Sequence, residues 1–201
     1  MTALDSRIKQ QAIPNGLLLG VLMLVLSIVA FYIMISSDSF WVVSLTPFSL
    51  SIIVPIILAI IFCFSLRKKV GGYWTFRQAT TGIFIMFILA YLVQFIGRDL
   101  IFAKIVEPQM VEKTQNAVKK ATLGYLNKSG LDQTKIDEQE EKIDKQFDAA
   151  KKSTIVSIIS GVAISVLLVF VISAIFGALF KKDPPLFNTD FTEPEVSDPT
   201  V

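Results

Sequence analysis

The chain has 201 residues, 53% of them hydrophobic, and its formal net charge is only +2. Its apolar residues form uninterrupted blocks about twenty residues long, the length that crosses a bilayer core, which excludes an ordinary soluble domain. The small net charge argues against a nucleic-acid partner, and the absence of histidine removes the commonest metal ligand and general base. We therefore expect an all-α integral membrane protein with four transmembrane helices and an antiparallel, coiled-coil-like helical hairpin between helices three and four.

The first predicted span follows a short polar N-terminal segment, residues 1–13, and covers about 14–35. This block is too long for a signal peptide, and no small-x-small cleavage site follows before the next span, so we interpret it as an uncleaved helix. Gly16 and Gly20 form a GxxxG pair near its start, a spacing that lets another helix approach closely. A chance pair of glycines in a membrane helix is the alternative.

The second predicted span covers residues 47–66, after a loop at 36–46 that has no Lys or Arg. Pro55 lies in the middle of this span and removes one backbone hydrogen bond, which predicts a kink. A transporter can use such a break to build a site. We favour a structural role, because no charged side chain accompanies the proline.

The third predicted span covers residues 75–97 and carries Gln94 near its far end, with Arg98 and Asp99 just beyond. Ionisable residues inside a membrane are functional candidates by default. These residues lie where the span reaches the interface, and snorkelling and local pairing cost little there. A structural role is again the interpretation that we favour.

Residues 98–152 form the one long polar segment between apolar blocks and predict a hairpin of two helices, 101–127 and 132–152, with a turn at Lys128-Ser129-Gly130. Pro108 is expected to bend or restart the first helix. Each helix has one narrow apolar stripe, which is typical of a two-helix seam. The seam is predicted to consist of Val106, Met110, Ala117, Ala121 and Tyr125 on the first helix, and Ile136, Ile143, Phe147 and Ala150 on the second.

The charges of the hairpin separate between its two helices. Residues 101–128 carry five Lys against two Glu, a net charge of +3, and residues 129–150 carry three Lys against seven acids, a net charge of −4. This separation favours antiparallel pairing and sets register more than stability. We interpret the acids as a solvated face, because Ca²⁺ sites need converging oxygens around a glycine turn.

The fourth predicted span covers residues 153–182 and has a stripe of small residues spaced four apart, which predicts close packing against a neighbouring helix. That stripe consists of Ser157, Gly161, Ser165, Ser173 and Gly177. Residues 183–201 contain four prolines and five acids without a base, so we expect a disordered, acidic, Pro-rich tail.

Basic residues predict the orientation of the spans. They lie beside the N-terminus, the loop between spans two and three, and the end of span four: Arg7, Lys9, Arg67, Lys68, Lys69, Arg77, Lys181 and Lys182. The positive-inside rule then places both termini in the cytoplasm and the hairpin on the other side of the membrane.

Two short segments resemble those of a known family. The third span opens with Tyr73-Trp74-Thr75-Phe76-Arg77-Gln78-Ala79, and Glu107-Pro108-Gln109-Met110 precedes the acidic helix at 132–147. With the four spans, these segments resemble a family of small bacterial membrane proteins known only as a domain of unknown function. The resemblance covers residues 14–182 and implies a four-span layout, while it assigns no activity and no site residues.

The functional expectation is a non-enzymatic scaffold or accessory subunit that binds another membrane protein or a second copy of itself. The sequence has no HExxH, no GxSxG and no paired membrane aspartates, so we predict no enzymatic activity, no metal site and no cofactor. A small oligomeric transporter or channel is the alternative, motivated by Pro55, Gln94 and the Arg98–Asp99 pair.

Overall fold

The structure, a computed structural model, describes residues 3–151 and 155–183 of the chain. The α-helices are α1 (Ala3–Ile35), α2 (Phe40–Phe48), α3 (Val54–Lys69), α4 (Phe76–Gln94), α5 (Met110–Lys128), α6 (Gln133–Lys151) and α7 (Ile155–Phe180). A first π-helical segment, Ser49–Ile53, joins α2 to α3, and a second, Phe95–Val106, prolongs α4.

Four stretches are long and apolar enough to cross a membrane, which confirms the predicted all-α, four-span architecture. They are Leu4–Ile35, Phe40–Lys69, Phe76–Val106 and Val156–Phe180. The helical hairpin of α5 and α6 lies between the third and fourth spans, as expected from the sequence. The chain is therefore a multi-pass membrane protein.

Helix α1 begins before the predicted first span, because residues 3–13 continue the same helix instead of forming a separate segment. Ile8 and Ala12 are buried in the bundle core, so these early turns have an apolar face that packs. Pro14 lies inside the helix, and the next residue, Asn15, donates from its side-chain Nδ2 to the Gln11 carbonyl at 2.6 Å. Lys69 Nζ in turn donates to Asn15 Oδ1 at 2.9 Å, which ties α1 to the end of α3.

The second span differs from prediction at both its start and its irregular turn. It begins at Phe40 instead of residue 47, which leaves only residues 36–39 between spans one and two. The irregularity expected at Pro55 lies just before it, in the π-helical segment. A proline ring crowds the carbonyl four residues earlier, here that of Ser51, and the wider π turn relieves that contact.

The third span extends beyond residue 97, so residues 98–106 belong to it and not to the hairpin. The break falls at Glu107, whose φ of −133° and ψ of 72° are not helical. A residue before a proline avoids the helical region, and Pro108 follows here, so the helix stops and restarts at Met110. This outcome agrees with the restart predicted at Pro108. Residues 152–154, which contain the expected start of the fourth span, and residues 184–201 of the predicted tail lie outside the described residues.

Helix α4 is the central helix of the bundle. Ala79, Ile83 and Met86 on α4 are buried together with Leu19 of α1 and Leu66 of α3. Helix α1 runs parallel to α4, since residues later in α1 contact residues later in the third span. Helix α7 runs antiparallel to α4, with Gly177 beside Thr80 and Phe170 beside Phe84.

The predicted GxxxG pair lies where α1 meets α4. A Cβ added at Gly16 would lie 2.6 Å from the Met86 carbonyl oxygen, and one at Gly20 would lie 2.7 Å from Val93 Cβ. Two glycines of the third span, Gly82 and Gly97, lie equally close to α1 side chains. The backbones of α1 and α4 therefore approach too closely for larger residues at Gly16 and Gly20, whereas the side chains that face Gly82 and Gly97 can shift.

The small-residue stripe of α7 divides into two halves. Ser173 and Gly177 are buried, and Ser173 Oγ donates to the Val169 carbonyl at 2.6 Å. Ser165 is half-buried, whereas Ser157 and Gly161 are exposed and nothing lies within 4 Å of a Cβ placed at Gly161. Close packing against α4 thus involves the C-terminal half of α7.

The difference between the halves of this stripe yields a matched pair of variants. Gly177→Ala should lower the free energy of unfolding by about 1–3 kcal/mol, because the new methyl group meets the backbone of Thr80 at 3.0 Å. Gly161→Ala adds the same methyl group to the same helix in open space, so it should leave stability unchanged or slightly raised. Unfolding midpoints in a mild detergent measure both, and equal midpoints would contradict the packing described.

Candidate functional site

One end of the bundle, here called the basic end, carries Arg67, Lys68, Lys69, Arg77, Lys181 and Lys182. Trp74 is buried there with 1% of its surface exposed, and its Nε1 donates to the Phe180 carbonyl at 2.8 Å. Its backbone also pairs with Lys182 in both directions, at 2.9 and 3.1 Å. Trp74 thereby fixes the end of α7 to the start of α4.

The residues after Trp74 begin helix α4. Thr75 and Gln78 form a capping box, in which Thr75 Oγ1 accepts from Gln78 N at 3.4 Å and Gln78 Oε1 accepts from Thr75 N at 3.0 Å. Gln78 Nε2 also donates to Asp5 Oδ1 of α1 at 3.4 Å. The motif that carries the family resemblance, residues 73–79, therefore has a structural explanation: it caps α4 and joins three spans.

At the opposite end of the bundle, the hairpin is attached through α5. Ala121 has 1% of its surface exposed and lies in a core with Phe31, Val43 and Phe102 of the spans. Tyr125 stacks on Phe40 of α2, with ring centroids 4.5 Å apart and planes 16° from parallel. Lys120 and Asp38 form an ion pair of 2.8 Å beside this stack. These contacts hold the hairpin against the end of the bundle.

The interface between α5 and α6 is more polar than the sequence predicted. Gln115 is buried, and its Nε2 donates to Asp144 Oδ1 at 2.7 Å while its Oε1 accepts from Lys151 Nζ at 2.7 Å. Lys119 Nζ contacts Asp144 at 3.0 Å and Glu140 at 2.9 Å. This polar network was not predicted. The sequence pattern that could have predicted it is the four-residue spacing of Gln115 and Lys119, which places both beside the apolar stripe of α5.

The residues predicted for the seam have several different environments. Ile136 and Ile143 are buried on α6, and Ala117 and Phe147 are half-buried. Met110, Ala121 and Tyr125 contact the bundle instead, because α5 has the spans on one side and α6 on another. Val106 was wrongly assigned to the seam, since it ends the third span and is 58% exposed. Ala150 lies within α6.

The charges of the polar network shift two pKa values in opposite directions. Hydrogen bonds to Glu140 and then to Asp144 raise the pKa of the Lys119 ammonium above its usual 10.5. The hydrogen bond from Lys119, followed by that from Gln115, lowers the pKa of Asp144 below its usual 3.8. Both shifts favour the charged forms, and these groups are solvent-accessible, so their effect on stability is small.

A lateral cavity of about 490 Å³ lies between the spans. Its wall is apolar except for a few polar groups. The lining residues are Leu19, Met23, Ser51, Ile52, Pro55, Ile56, Ala59, Phe87, Ala90, Tyr91, Gln94, Val169, Ile172 and Phe176. All four spans thus contribute to the wall, and none of the lining residues is charged.

Gln94 is the unusual residue of this cavity, because its side-chain Oε1 is buried and has no hydrogen-bond partner in the described part of the chain. A buried polar atom without a partner typically costs about 1–3 kcal/mol. The cavity also lies between the two π-helical segments: the first contributes Ser51 and Ile52, and the second begins at Phe95, directly after Gln94. Short π-helical turns frequently occur at functional sites.

A smaller cavity of about 90 Å³ lies towards the hairpin and shares Ser51 with the larger one. Ser27, Arg98 and Thr114 also line it. Of the polar residues predicted at the end of the third span, Gln94 therefore lines the lateral cavity and Arg98 lines its smaller neighbour. Within residues 3–151 and 155–183, no cluster of three potential metal ligands occurs.

Comparison with known proteins gives one match. The model of a family described as "Protein of unknown function (DUF4199)" matches residues 14–182, from the middle of α1 to the end of the bundle. Neither a comparison with curated proteins nor one with solved structures found a match to this sequence.

The Trp74 contact predicts a specific loss of stability. Trp74→Phe removes the indole donor to the Phe180 carbonyl and leaves a void, so the free energy of unfolding should fall by about 2–4 kcal/mol. Tyr73→Phe is the matched control, since it keeps the ring that faces Lys182 Nζ at 5.1 Å and should unfold like the parent chain. Thermal unfolding in detergent distinguishes the two, and a Trp74→Phe chain as stable as Tyr73→Phe would contradict this role.

The polar network predicts that acid loosens the contact between α5 and α6. Because the pKa of Asp144 is lowered in the folded state, the ionised carboxylate contributes to the stability of the folded hairpin above pH 3.8. This contribution is lost as the pH falls through the lowered pKa. Spin labels at exposed positions 116 and 146, in a Cys63→Ala background, should show a broader distance distribution only when the pH falls below 3.8. Asp144→Asn should remove this pH dependence and Asp148→Asn should preserve it, so identical profiles in both variants would count against the network.

Proposed function

The chain belongs to the DUF4199 family of proteins of unknown function, and we propose that it serves as a non-enzymatic scaffold or accessory subunit of a membrane-protein complex. In this proposal the bundle anchors the hairpin, and the hairpin binds a partner. The partner is another membrane protein or a second copy of the chain. The binding surfaces are the outer face of α6, the outward face of α7 and the C-terminal tail.

The observation that carries the proposal is the way in which α6 is displayed. Helix α5 packs on the spans through Ala121 and Tyr125, and α6 packs along α5 through Ile136 and Ile143. The opposite face of α6 is exposed and charged. It carries four acids that the polar network does not use, Asp137, Glu138, Glu141 and Asp148, and three lysines, Lys135, Lys142 and Lys145, of which Lys145 pairs with Glu141 at 2.6 Å. A firmly attached helix with an exposed face of mixed charge is suited to binding a protein surface of complementary charge.

We further propose that the basic end lies in the cytoplasm of a bacterial cell and that the hairpin lies on the other side of its inner membrane. The concentration of Lys and Arg at one end of the bundle supports this orientation through the positive-inside rule. The partner would then be met outside the cytoplasm by the hairpin, and inside it by the tail.

A small oligomeric transporter or channel is the second candidate, and the lateral cavity favours it. Its wall lacks a charged side chain, so it offers no pathway for an ion by itself. Solute or ion flux through the purified chain in proteoliposomes would support this alternative over the scaffold.

Photo-crosslinking in intact cells tests the scaffold directly. A photoreactive residue at the exposed position 142 of α6 should give a discrete protein adduct, because this position lies on the outer face of the hairpin. The same residue at Ile61 of α3, which is 54% exposed on the surface of the spans, serves as the control and should give lipid adducts. Co-expression of two differently tagged copies identifies an adduct that contains a second copy of the chain.

Charge variants then test the surface itself. Replacing Glu138 and Glu141 by Gln should weaken the adduct severalfold, because both acids lie on the exposed face of α6. Glu112→Gln removes an exposed acid from α5 instead and is the control, which should leave the adduct yield unchanged. The scaffold proposal is wrong if no position on the outer face of α6 gives a protein adduct in cells at native expression.

A further inference from the structure

The lateral cavity has features that define the chemistry of a ligand. We propose that it binds a neutral, single-chain, lipid-like amphiphile whose hydroxyl head group hydrogen-bonds to the side-chain amide of Gln94. The apolar chain of this ligand would lie against α3, α4 and α7. The proposal concerns a binding site and is independent of the scaffold function.

The head group follows from the polar atoms of the wall. Gln94 Oε1 is a buried acceptor that no described residue satisfies. A rotation of its side-chain amide brings it to the cavity surface, where a ligand can donate to it. A charged head group is excluded, because no lining residue carries a charge and burying an unpaired ion in an apolar site is costly. A hydroxyl is neutral and both donates and accepts, which matches an amide.

Ser51 provides a second polar contact on the facing wall. It lies in the π-helical segment between α2 and α3, and it lines the same cavity as Gln94. Its own hydroxyl can donate to the oxygen of a ligand hydroxyl while that hydroxyl donates to Gln94. The two polar residues thus define one end of the site, and the remaining lining residues are apolar apart from Tyr91.

The apolar part of the ligand follows from the remaining wall and from the position of the opening. The volume of about 490 Å³ lies within the roughly 300–1,000 Å³ of small-molecule sites. Ile52, Ile56 and Ile172 line the cavity and are 44–50% exposed on the surface of the spans, so the cavity opens towards the hydrocarbon of the membrane. A ligand therefore enters from the bilayer.

A pair of probes that differ in one donor tests the proposal. The purified full chain in phospholipid nanodiscs is irradiated with a diazirine-bearing hexadecanol, or with the methyl ether of the same molecule at equal membrane concentration. The alcohol should label cavity-lining peptides about tenfold more than the ether, the ratio expected from one additional hydrogen bond. Equal labelling by the two probes would overturn the proposal and would indicate a groove for any acyl chain.

Variants assign the recognition to Gln94. Gln94→Leu should reduce labelling by the alcohol to the level of the ether, because it removes the amide and keeps an apolar side chain. Asn116→Leu removes an exposed side-chain amide on α5 and is the control, which should keep the tenfold ratio. An unchanged ratio in Gln94→Leu would overturn the assignment.

A second variant keeps the test decisive if Gln94→Leu fails to fold. Ile56→Trp places a larger side chain at the half-exposed mouth of the cavity and should suppress labelling by both probes. Mass spectrometry of the labelled peptides locates the adducts. Adducts confined to peptides outside the cavity in the parent chain would also refute the site.

Discussion

Close contact between backbones is the constraint on which this bundle depends. Lipid tails are as apolar as the side chains that face them, so helices in a membrane gain little from hydrophobic burial against one another. Gly16 and Gly20 bring α1 against α4 over several turns, and Gly177 does the same for α7. Helix α4 therefore has one tightly packed neighbour on each of two sides, and the second span is joined to α1 by the Lys69–Asn15 hydrogen bond.

The same central helix connects the two ends of the molecule. At the basic end, Trp74 holds α7 and the Thr75–Gln78 capping box starts α4. At the other end, α4 passes into a π-helical segment whose Phe102 packs with Ala121 of the hairpin. Between these ends, Gln94 interrupts the apolar surface at the level where the second span also becomes π-helical. Regular packing and the lateral cavity thus occur on neighbouring parts of one helix.

The sequence predicted the features that depend on composition and periodicity, and it failed where tertiary contacts decide. The four spans, the restart after Pro108 and the family were all available from residue patterns. The extension of α1 to Ala3 was missed, because a polar N-terminal segment with two buried apolar residues resembles a loop. The seam was only partly predicted, since a helical stripe does not say which neighbour it faces: Tyr125 packs on α2 and Val106 lies outside the hairpin. The cavity forms only when all four spans are packed together. In the sequence, Pro55 and Gln94 were the only residues that indicated it.

The length of the third span has a consequence for the response of the molecule to membrane thickness. It has 31 residues, of which 12 are π-helical, whereas about 20 residues are enough to cross a hydrocarbon core of about 30 Å. Arg98, Asp99 and Lys104 lie in its final turns, so the excess length projects through the head groups on the hairpin side. The hairpin begins just beyond this excess length, so the depth of the span in the bilayer affects the height of the hairpin above the lipid. A thicker bilayer would bring the surface closer to α5, and a thinner one would raise α5 or tilt the span, which couples hydrophobic mismatch to the exposure of the hairpin.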